Sequence, residues 1–319
     1  MSERGYKRFG DLQILTGNAN PVLGASIAKS CGVELAKCEI SRFPDGEINI
    51  RLDEDVRGND VFVVQPTCPP VNEHLVELLL ILDTLKRASA ARITAVMPYY
   101  GYARKDRKDE GRVPISAKLV ANTIVTAGAD RVLALELHAA QIQGFFDIPV
   151  DHLFAAPIFA AHFEKMELVD PVVVAPDVGG IKLARAYAKR LNGGLAIVDK
   201  RRDHADVAKA MHLIGEVEGR DVILMDDMIA TAGTMVEAVR MVKREGCGKV
   251  FIAATHGVFA GPAVERLKTV EVDEIAVTDS IPTPDAAKEL VTVLSTGELL
   301  GDAIRRIHQS RSVSSLFLD

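Results

Sequence analysis

Two hydrophobic patterns alternate along most of the chain. Short apolar runs, such as residues 61–64, 93–97 and 222–225, predict strands of a parallel sheet that is covered on both faces. Between such runs, stretches such as residues 72–88 repeat apolar positions every three or four residues, which places those side chains on one face of a helix. Because strands and helices alternate, the pattern predicts the α/β class, with central, mostly parallel sheets flanked by helices.

The strand and helix pattern occurs twice, in segments that also share sequence letters. V-R-G-N-D-V, beginning at Val56, aligns with V-E-G-R-D-V, beginning at Val217, and the Val, Gly, Asp and Val positions agree. Each copy continues as a helix, a basic residue (Arg92 or Lys249) and an apolar strand. The sequence therefore predicts two duplicated α/β domains, for which 319 residues suffice. We expect these domains at residues 8–150 and 151–306, with residues 307–319 packing back as a tail.

Composition narrows the class of protein. With 48% hydrophobic and 26% charged residues, the chain is neither disordered nor disulfide-built. Its net charge of -6 argues against a general nucleic-acid or membrane surface, so we expect no nucleic-acid or membrane partner. No run approaches membrane-spanning length, residues 1–8 lack a signal-peptide core, and the four cysteines lack metal-ligand spacing. We therefore expect a cytoplasmic protein with reduced thiols.

Residues 222–234 carry the most specific chemical signal. Asp226 and Asp227 follow an apolar run, which puts both carboxylates at the carboxyl end of a parallel strand, where α/β sheets bind ligands. The small residues 231–234, T-A-G-T, lead into an amphipathic helix and predict backbone N–H groups directed at a phosphate. Carboxylates only accept hydrogen bonds, so they suit sugar hydroxyls or a magnesium ion. A phosphorylated sugar satisfies both halves, and a buried strand ending in a capped turn is the alternative.

The first copy contains different candidate groups. It has Gln65, Pro66 and Thr67 where the second copy has its acids and small-residue loop, so only the second domain is predicted to hold the sugar phosphate. The charged segment 99–112 lies between a strand and a helix, at a carboxyl edge, where its Arg and Lys side chains can clamp a polyphosphate. A solvated loop is the alternative. Residues 43–47, F-P-D-G-E, predict a hairpin turn.

Three more candidates follow predicted strands. His138 comes after residues 132–137, which places it at a carboxyl edge where ligands bind. A hydrogen-bonded structural histidine is the alternative. Asp177 precedes two glycines, Gly179 and Gly180. Such a pair predicts a tight turn that brings the backbone close to a ligand. Lys200 and Arg202 end a strand before a polar segment, which predicts a flexible flap whose cations close over a reacting phosphate. A basic strand end is the alternative.

Taken together and in order, these motifs resemble the ribose-phosphate pyrophosphokinase family, which has the type I phosphoribosyltransferase fold. The resemblance extends from the strand at Leu12 to Phe317. It implies transfer of the diphosphoryl group of Mg-ATP to the anomeric hydroxyl of ribose 5-phosphate, giving phosphoribosyl diphosphate and AMP. It also implies Mg2+ as cofactor, inorganic phosphate as a candidate activator, and a homo-oligomer built from dimers, with a hexamer expected.

The resemblance also assigns roles to residues. It implies that Lys200 and Arg202 are catalytic and that His138 and Asp177 are linked to the metal. The implied ATP-binding residues are Phe43, Asp45, Gly46, Glu47, Arg104, Lys105, Asp106 and His138. The implied ribose 5-phosphate-binding residues are Asp177, Asp226, Asp227, Ala230, Thr231, Ala232, Gly233 and Thr234.

Several positions depart from the family pattern. Ala230 replaces a third acid, Lys105 replaces a common Gln, and Glu136 replaces an Asp. Asp55 and Gly111 stand where many members have serines that bind regulatory phosphate, so we expect altered or absent phosphate activation. Two alternatives stay open: a catalytically weak paralogue that associates with active subunits, and a type I phosphoribosyltransferase that consumes phosphoribosyl diphosphate.

Overall fold

The computed structural model describes residues 9–201 and 210–316. Its chain divides into two compact units. One unit runs to Leu153 and takes in the C-terminal segment from Gly297, and the other is Phe154–Thr296. No helix in the described ranges combines the length and apolar character that crossing a membrane requires.

Helices and strands alternate along the chain, as the hydrophobic pattern predicts. The helices are α1 (Pro21–Cys31), α2 (Val71–Arg87), α3 (Ser116–Ala127), α4 (Ala156–Phe163), α5 (Ile181–Arg190), α6 (Gly233–Arg244), α7 (Ala263–Leu267) and α8 (Gly297–His308). The strands are β1 (Leu12–Thr16), β2 (Cys38–Arg42), β3 (Ile48–Leu52), β4 (Asp60–Val64), β5 (Arg92–Met97), β6 (Arg131–Leu135), β7 (Val150–Leu153), β8 (Val172–Ala175), β9 (Gly194–Arg201), β10 (Ala210–Ile214), β11 (Val222–Ile229), β12 (Val250–Gly257), β13 (Glu274–Thr278) and β14 (Thr292–Leu294).

Each unit is built around one sheet. The first has five parallel strands in the order β1-β4-β5-β6-β7, and the second has seven in the order β10-β9-β8-β11-β12-β13-β14. In the second sheet only β10 runs antiparallel to its neighbour. Strand β4 is buried along its whole length, as expected for a strand covered on both faces. The predicted fold class is confirmed.

The duplication is visible in the strand order. The order β1-β4-β5-β6-β7 of the first unit corresponds to β8-β11-β12-β13-β14 of the second. The turn before each second strand is also the same: Gly58 N donates to Ser89 O at 3.0 Å, and Gly219 N donates to Gly246 O at 2.9 Å. Both turn glycines have left-handed φ angles of 75° and 70°, which explains why glycine occurs in both copies.

The shared aspartate has different partners in the two copies. Asp60 is fully buried and accepts two hydrogen bonds from Arg92, at 2.7 and 2.6 Å. Asp221 instead accepts backbone N–H groups of Val169 and Lys249, at 2.8 and 2.9 Å. Each carboxylate thereby fixes the start of the strand pair in its own unit.

The C-terminal helix belongs to a different unit from the one that the predicted domain limits assign to it. Residues 297–306 fall within the predicted second domain, yet α8 packs on α1 in the first unit. A side chain at Gly301 would lie 2.5 Å from Ser30 Oγ, so the glycine allows this close approach. In the tail, Arg306 Nη1 donates to Ser312 O and Ser315 Oγ, at 3.2 and 2.8 Å. Residues 317–319 lie outside the described residues.

Candidate functional site

The acid pair of the second unit lies inside a strand. The sequence predicts that the strand ends at residue 225, but β11 continues through Asp226 and Asp227 to Ile229. Pairing with β12 extends to the end of β11, whereas pairing with β8 stops at Leu224. The longer neighbour on one side therefore carries the strand past the predicted end. On the other side, β11 projects beyond β8 at the carboxyl edge, with the two acids in this projecting part.

Three carboxylates interact at this edge. Burial raises the pKa of Asp226 well above its usual range, and the carboxylates of Asp227 and Asp177 raise the pKa further by repulsion. The N–H of Asp227 donates to Asp226 Oδ1 at 2.9 Å and opposes that shift in part. The cluster therefore concentrates negative charge, which a cation can offset and to which sugar hydroxyls can donate hydrogen bonds.

Asp177 sits at the end of β8, as its position after an apolar run predicts. Its Oδ1 accepts hydrogen bonds from Gly179 N at 2.8 Å and Gly180 N at 3.3 Å, which fixes the orientation of the carboxyl group over the turn Val178–Gly180. Within residues 9–201 and 210–316, no group of three or more His, Cys, Asp and Glu side chains is arranged to hold a metal ion.

The small-residue loop ends β11 and begins α6. Ala232 has a left-handed φ of 59°, an uncommon conformation for a residue with a side chain. Val236 N donates to Ala232 O at 3.0 Å and closes the first turn of the helix. The N–H groups of residues 233–235 precede that bond, so the helix itself provides no acceptor for them. The helix thus begins at the predicted position, and binding of an anion there stays a prediction.

A second segment, which no local sequence pattern indicates, supports this loop. The carbonyls of residues 229–231 accept hydrogen bonds, in order, from Phe259 N at 3.0 Å, Ala260 N at 2.8 Å and Arg266 Nη1 at 3.0 Å. Arg266 lies 35 positions from residue 231. Its position in a short amphipathic segment predicts only a helix surface, so no local pattern marks the contact.

In the first unit, the F-P-D-G-E segment forms the predicted hairpin turn. β2 and β3 pair antiparallel, and Phe43 N donates to Glu47 O at 2.9 Å. Gly46 adopts a left-handed φ of 95°, and Glu47 N donates to Asp45 Oδ1 at 3.1 Å. Phe43 is 49% exposed, so its ring is accessible for stacking.

The charged segment 99–112 forms a loop after β5. Arg104 is exposed, whereas Lys105 Nζ lies 3.0 Å from both carboxylate oxygens of Asp109, and this hydrogen bond raises the pKa of Lys105. Tyr99 and Tyr100 are buried, so neither ring is available to a ligand, although Tyr102 is exposed. Asp109 therefore competes with a polyphosphate for Lys105, whose contact with ATP stays a prediction.

His138 follows β6 and is exposed. The predicted strand extends to residue 137, but β6 ends at Leu135 because Glu136 adopts a left-handed φ of 44° and turns the chain. Farther along this loop, Gln141 donates a hydrogen bond to Asp106. Since β5 and β6 are neighbours, the structure brings the Arg104–Asp106 loop and the His138 loop to one edge of the first sheet.

The predicted catalytic pair lies partly beyond the described residues. The backbone of Lys200 belongs to β9 and pairs with Met211 of β10 in an antiparallel ladder. Arg202 and the remainder of the predicted flap up to residue 209 lie outside the described residues.

Comparison with known proteins covers both units. Residues 12–128 match the model of the N-terminal domain of ribose phosphate pyrophosphokinase, and residues 203–318 match the phosphoribosyl synthetase-associated domain. The chain is 54% identical over 311 residues to the ribose-phosphate pyrophosphokinase of Rhodopirellula baltica, which covers 96% of this chain and 98% of that protein. It is 50% identical over 313 residues to the Bacillus subtilis enzyme of the same name, with 97% and 99% covered.

A solved structure agrees with these relatives. The crystal structure of phosphoribosylpyrophosphate synthetase from Mycobacterium smegmatis superposes with a TM-score of 0.88 at 42% sequence identity. The match covers 94% of this chain and 100% of that one. Because the similarity extends over both units and nearly the full length of each relative, the chain belongs to the ribose-phosphate pyrophosphokinase family.

Proposed function

We propose that this chain transfers the diphosphoryl group of ATP to ribose 5-phosphate, forming phosphoribosyl diphosphate and AMP. The observation that carries the proposal is the β11–α6 segment of a family member: interacting carboxylates followed directly by a helix start whose first N–H groups have no acceptor within the helix. One half suits the hydroxyls of a sugar and the other suits its phosphate.

Ribose 5-phosphate is proposed to bind in the second unit. Its phosphate accepts hydrogen bonds from the loop Ala230, Thr231, Ala232, Gly233 and Thr234, where backbone N–H groups precede the first helical bond. Its ring hydroxyls donate to Asp226 and Asp227, which relieves the crowding of negative charge described above.

ATP is proposed to bind in the first unit. The exposed ring of Phe43 stacks on the base, and Asp45, Gly46 and Glu47 supply polar contacts from the same turn. Arg104 and Lys105 contact the phosphates, and Asp106 and His138 complete the ATP site beside them. The shared sheet edge and the hydrogen bond that Gln141 donates to Asp106 support this assignment.

A magnesium requirement is compatible with the donor groups. Asp177 belongs to a carboxylate cluster that raises the pKa of Asp226, so hard oxygen ligands with excess negative charge are present. We propose that His138 in the first unit would help to hold the magnesium carried by ATP, and that Asp177 in the second unit is a second magnesium-linked residue. When bound, magnesium supplies charge neutralisation at the transferred phosphates.

Catalysis needs no nucleophile from the protein. The anomeric oxygen attacks the β-phosphorus, and the bond between that phosphorus and the oxygen bridging to the α-phosphate breaks as AMP leaves. Lys200 and Arg202 are proposed to stabilise the charge that develops on this bridging oxygen. The protein therefore accelerates the reaction by positioning two substrates and by stabilising charge.

Assembly, regulation and cellular location are also proposed, each from a single structural feature. The exposed Phe43 on the hairpin is compatible with a homo-oligomer, proposed to be a hexamer built from dimers, in which the hairpin reaches a neighbouring subunit's ATP. The carboxylate of Asp55 accepts a hydrogen bond from Arg57 N at 2.9 Å and would repel an activating phosphate at that position. The four free cysteines support a cytoplasmic location.

The test is AMP formation from MgATP by the purified chain, measured with ribose 5-phosphate, with ribose and with neither sugar. We expect AMP only with ribose 5-phosphate, because ribose lacks the group that the loop binds. Folded protein that forms no AMP, in the presence of magnesium and inorganic phosphate, would support the weak paralogue. Release of diphosphate from phosphoribosyl diphosphate and a free base would support a phosphoribosyltransferase.

A further inference from the structure

We propose that Arg266 is a positioning residue for the phosphate loop, which we define as residues 230–234. The inference rests on the proposed ribose 5-phosphate site. Arg266 lies on α7, and its Nη1 donates to Thr231 O at 3.0 Å. The same nitrogen lies 3.5 Å from the place that a Cβ on Gly233 would occupy. The guanidinium therefore lies beside both the start of the loop and the first residue of α6.

The carbonyl contacts determine where the loop's N–H groups point. In a planar trans peptide, the C=O and the following N–H point in opposite directions. The carbonyls of residues 229–231 are all bound by the segment that carries Phe259, Ala260 and Arg266, so the N–H groups of residues 230–232 face away from that segment. Consecutive N–H groups facing the same way form a concave anion-binding site. Arg266 provides the last of the three contacts, next to the left-handed Ala232.

The segment that carries Arg266 is held in place by packing in the second unit. Phe259 has a left-handed φ of 45° and is buried against Gly257, where a Cβ would lie 2.6 Å from the Phe259 ring. Ala263 and Leu267 anchor α7 in the core of the second unit. The backbone of Arg266 is therefore held in place, while its side chain is exposed.

Charge adds to the hydrogen bond. Among the salt bridges formed by described residues, none involves Arg266. The guanidinium binds the negative end of the Thr231 peptide dipole and leaves the N–H ends directed at a dianionic phosphate. Arg266 is thus suited to hold the loop in its binding conformation without contacting the substrate.

The test compares Arg266→Met, which removes the donors and the charge, with Arg266→Lys, which retains the charge and one compact donor group. Arg240→Met is the matched control, because Arg240 is also exposed in the same unit and donates to Thr269 Oγ1 at 3.1 Å. The dissociation constant of ribose 5-phosphate is measured by calorimetry with magnesium and α,β-methylene-ATP. The methylene group replaces the oxygen that bridges the α- and β-phosphates, and the bond from this group to the β-phosphorus does not break. Binding is therefore observed without turnover.

We expect Arg266→Met to weaken ribose 5-phosphate binding about fivefold or more, the equivalent of roughly one net hydrogen bond. Arg266→Lys is expected to restore part of that loss, and Arg240→Met is expected to bind like the unmodified chain. In turnover assays, Arg266→Met is expected to raise KM for ribose 5-phosphate and to leave KM for ATP unchanged.

Unchanged ribose 5-phosphate binding by Arg266→Met would overturn the inference. So would an equal loss in Arg240→Met, which would indicate a general effect of surface charge, or an equal rise in KM for ATP. Thr234→Val separates this inference from the proposed site, because Thr234 belongs to the loop itself. If Thr234→Val weakens binding and Arg266→Met does not, only the role of Arg266 fails; if neither weakens binding, the proposed site fails.

Discussion

Asp226 is predicted to destabilise the ligand-free protein at neutral pH, and Asp226→Asn tests this directly. Burial raises the pKa of the carboxyl group, and the neighbouring carboxylates of Asp227 and Asp177 raise it further. The Asn side chain keeps an oxygen that can accept the 2.9 Å hydrogen bond from Asp227 N. The substitution therefore removes the buried charge and its repulsion while it preserves the local hydrogen bond.

The sign of the effect follows from the direction of the shift. A carboxyl group whose pKa is higher in the folded state favours folding at acidic pH, and this contribution is lost as pH rises through the raised pKa. At neutral pH, where the unfolded chain has this carboxyl group ionised, the raised pKa therefore costs stability. Relief of such a site typically adds about 1 kcal/mol, and at this protein size each kcal/mol raises Tm by roughly 2–4 °C. The same variant is expected to lose ribose 5-phosphate binding.

The assay is thermal unfolding of ligand-free protein across a pH series from roughly 4 to 8. We expect Asp226→Asn to unfold at a higher temperature at neutral pH and the difference to shrink towards the acidic end. Asp221→Asn is the control, because Asp221 is a buried carboxylate that accepts two backbone N–H groups, at 2.8 and 2.9 Å. It is expected to destabilise. A variant at Asp226 that is no more stable at neutral pH, or whose advantage does not depend on pH, would refute the reasoning.

Three further predictions concern the reaction and its regulation. Lys200→Ala is expected to lower kcat far more than it weakens ATP binding, because the proposed interaction belongs to the transition state; equal losses in both quantities would count against that role. Ala230→Asp is expected to improve ribose 5-phosphate affinity by about 1 kcal/mol through one added hydrogen bond, and an unchanged or weaker dissociation constant would mean that the loop is adapted to Ala. Turnover measured against phosphate concentration is expected to show little activation, since Asp55 and Gly111 replace hydroxyl-bearing side chains; a steep rise at low phosphate would contradict this.

The sequence predicts the parts of the fold that depend on local pattern. The α/β class and the start of α6 follow from apolar periodicity and from the T-A-G-T segment, and both are observed. The duplication follows from the letters shared at Val56 and Val217, because both copies need glycine in the same left-handed turn. The hairpin around Gly46 follows from its turn residues in the same way.

The parts that the sequence does not predict depend on distant contacts. Helix α8 belongs to the first unit because Gly301 approaches Ser30, and Cys31 Sγ contacts Gly301 O across 270 positions. The end of β11 is set by the length of β12, and the end of β6 by the left-handed Glu136. None of these features leaves a periodic signal in the segment concerned. The contact of Arg266 with Thr231 also joins distant positions and has no local signal.

The most direct test of the account is the identity of the products formed from ATP and ribose 5-phosphate. The purified chain is incubated with both substrates and magnesium, and the phosphorus species are followed by 31P NMR. If the β- and γ-phosphates move together to the anomeric oxygen, AMP and phosphoribosyl diphosphate appear in equal amounts and at equal rates. Formation of ADP and a singly phosphorylated sugar product instead, or no change in either substrate, would contradict it.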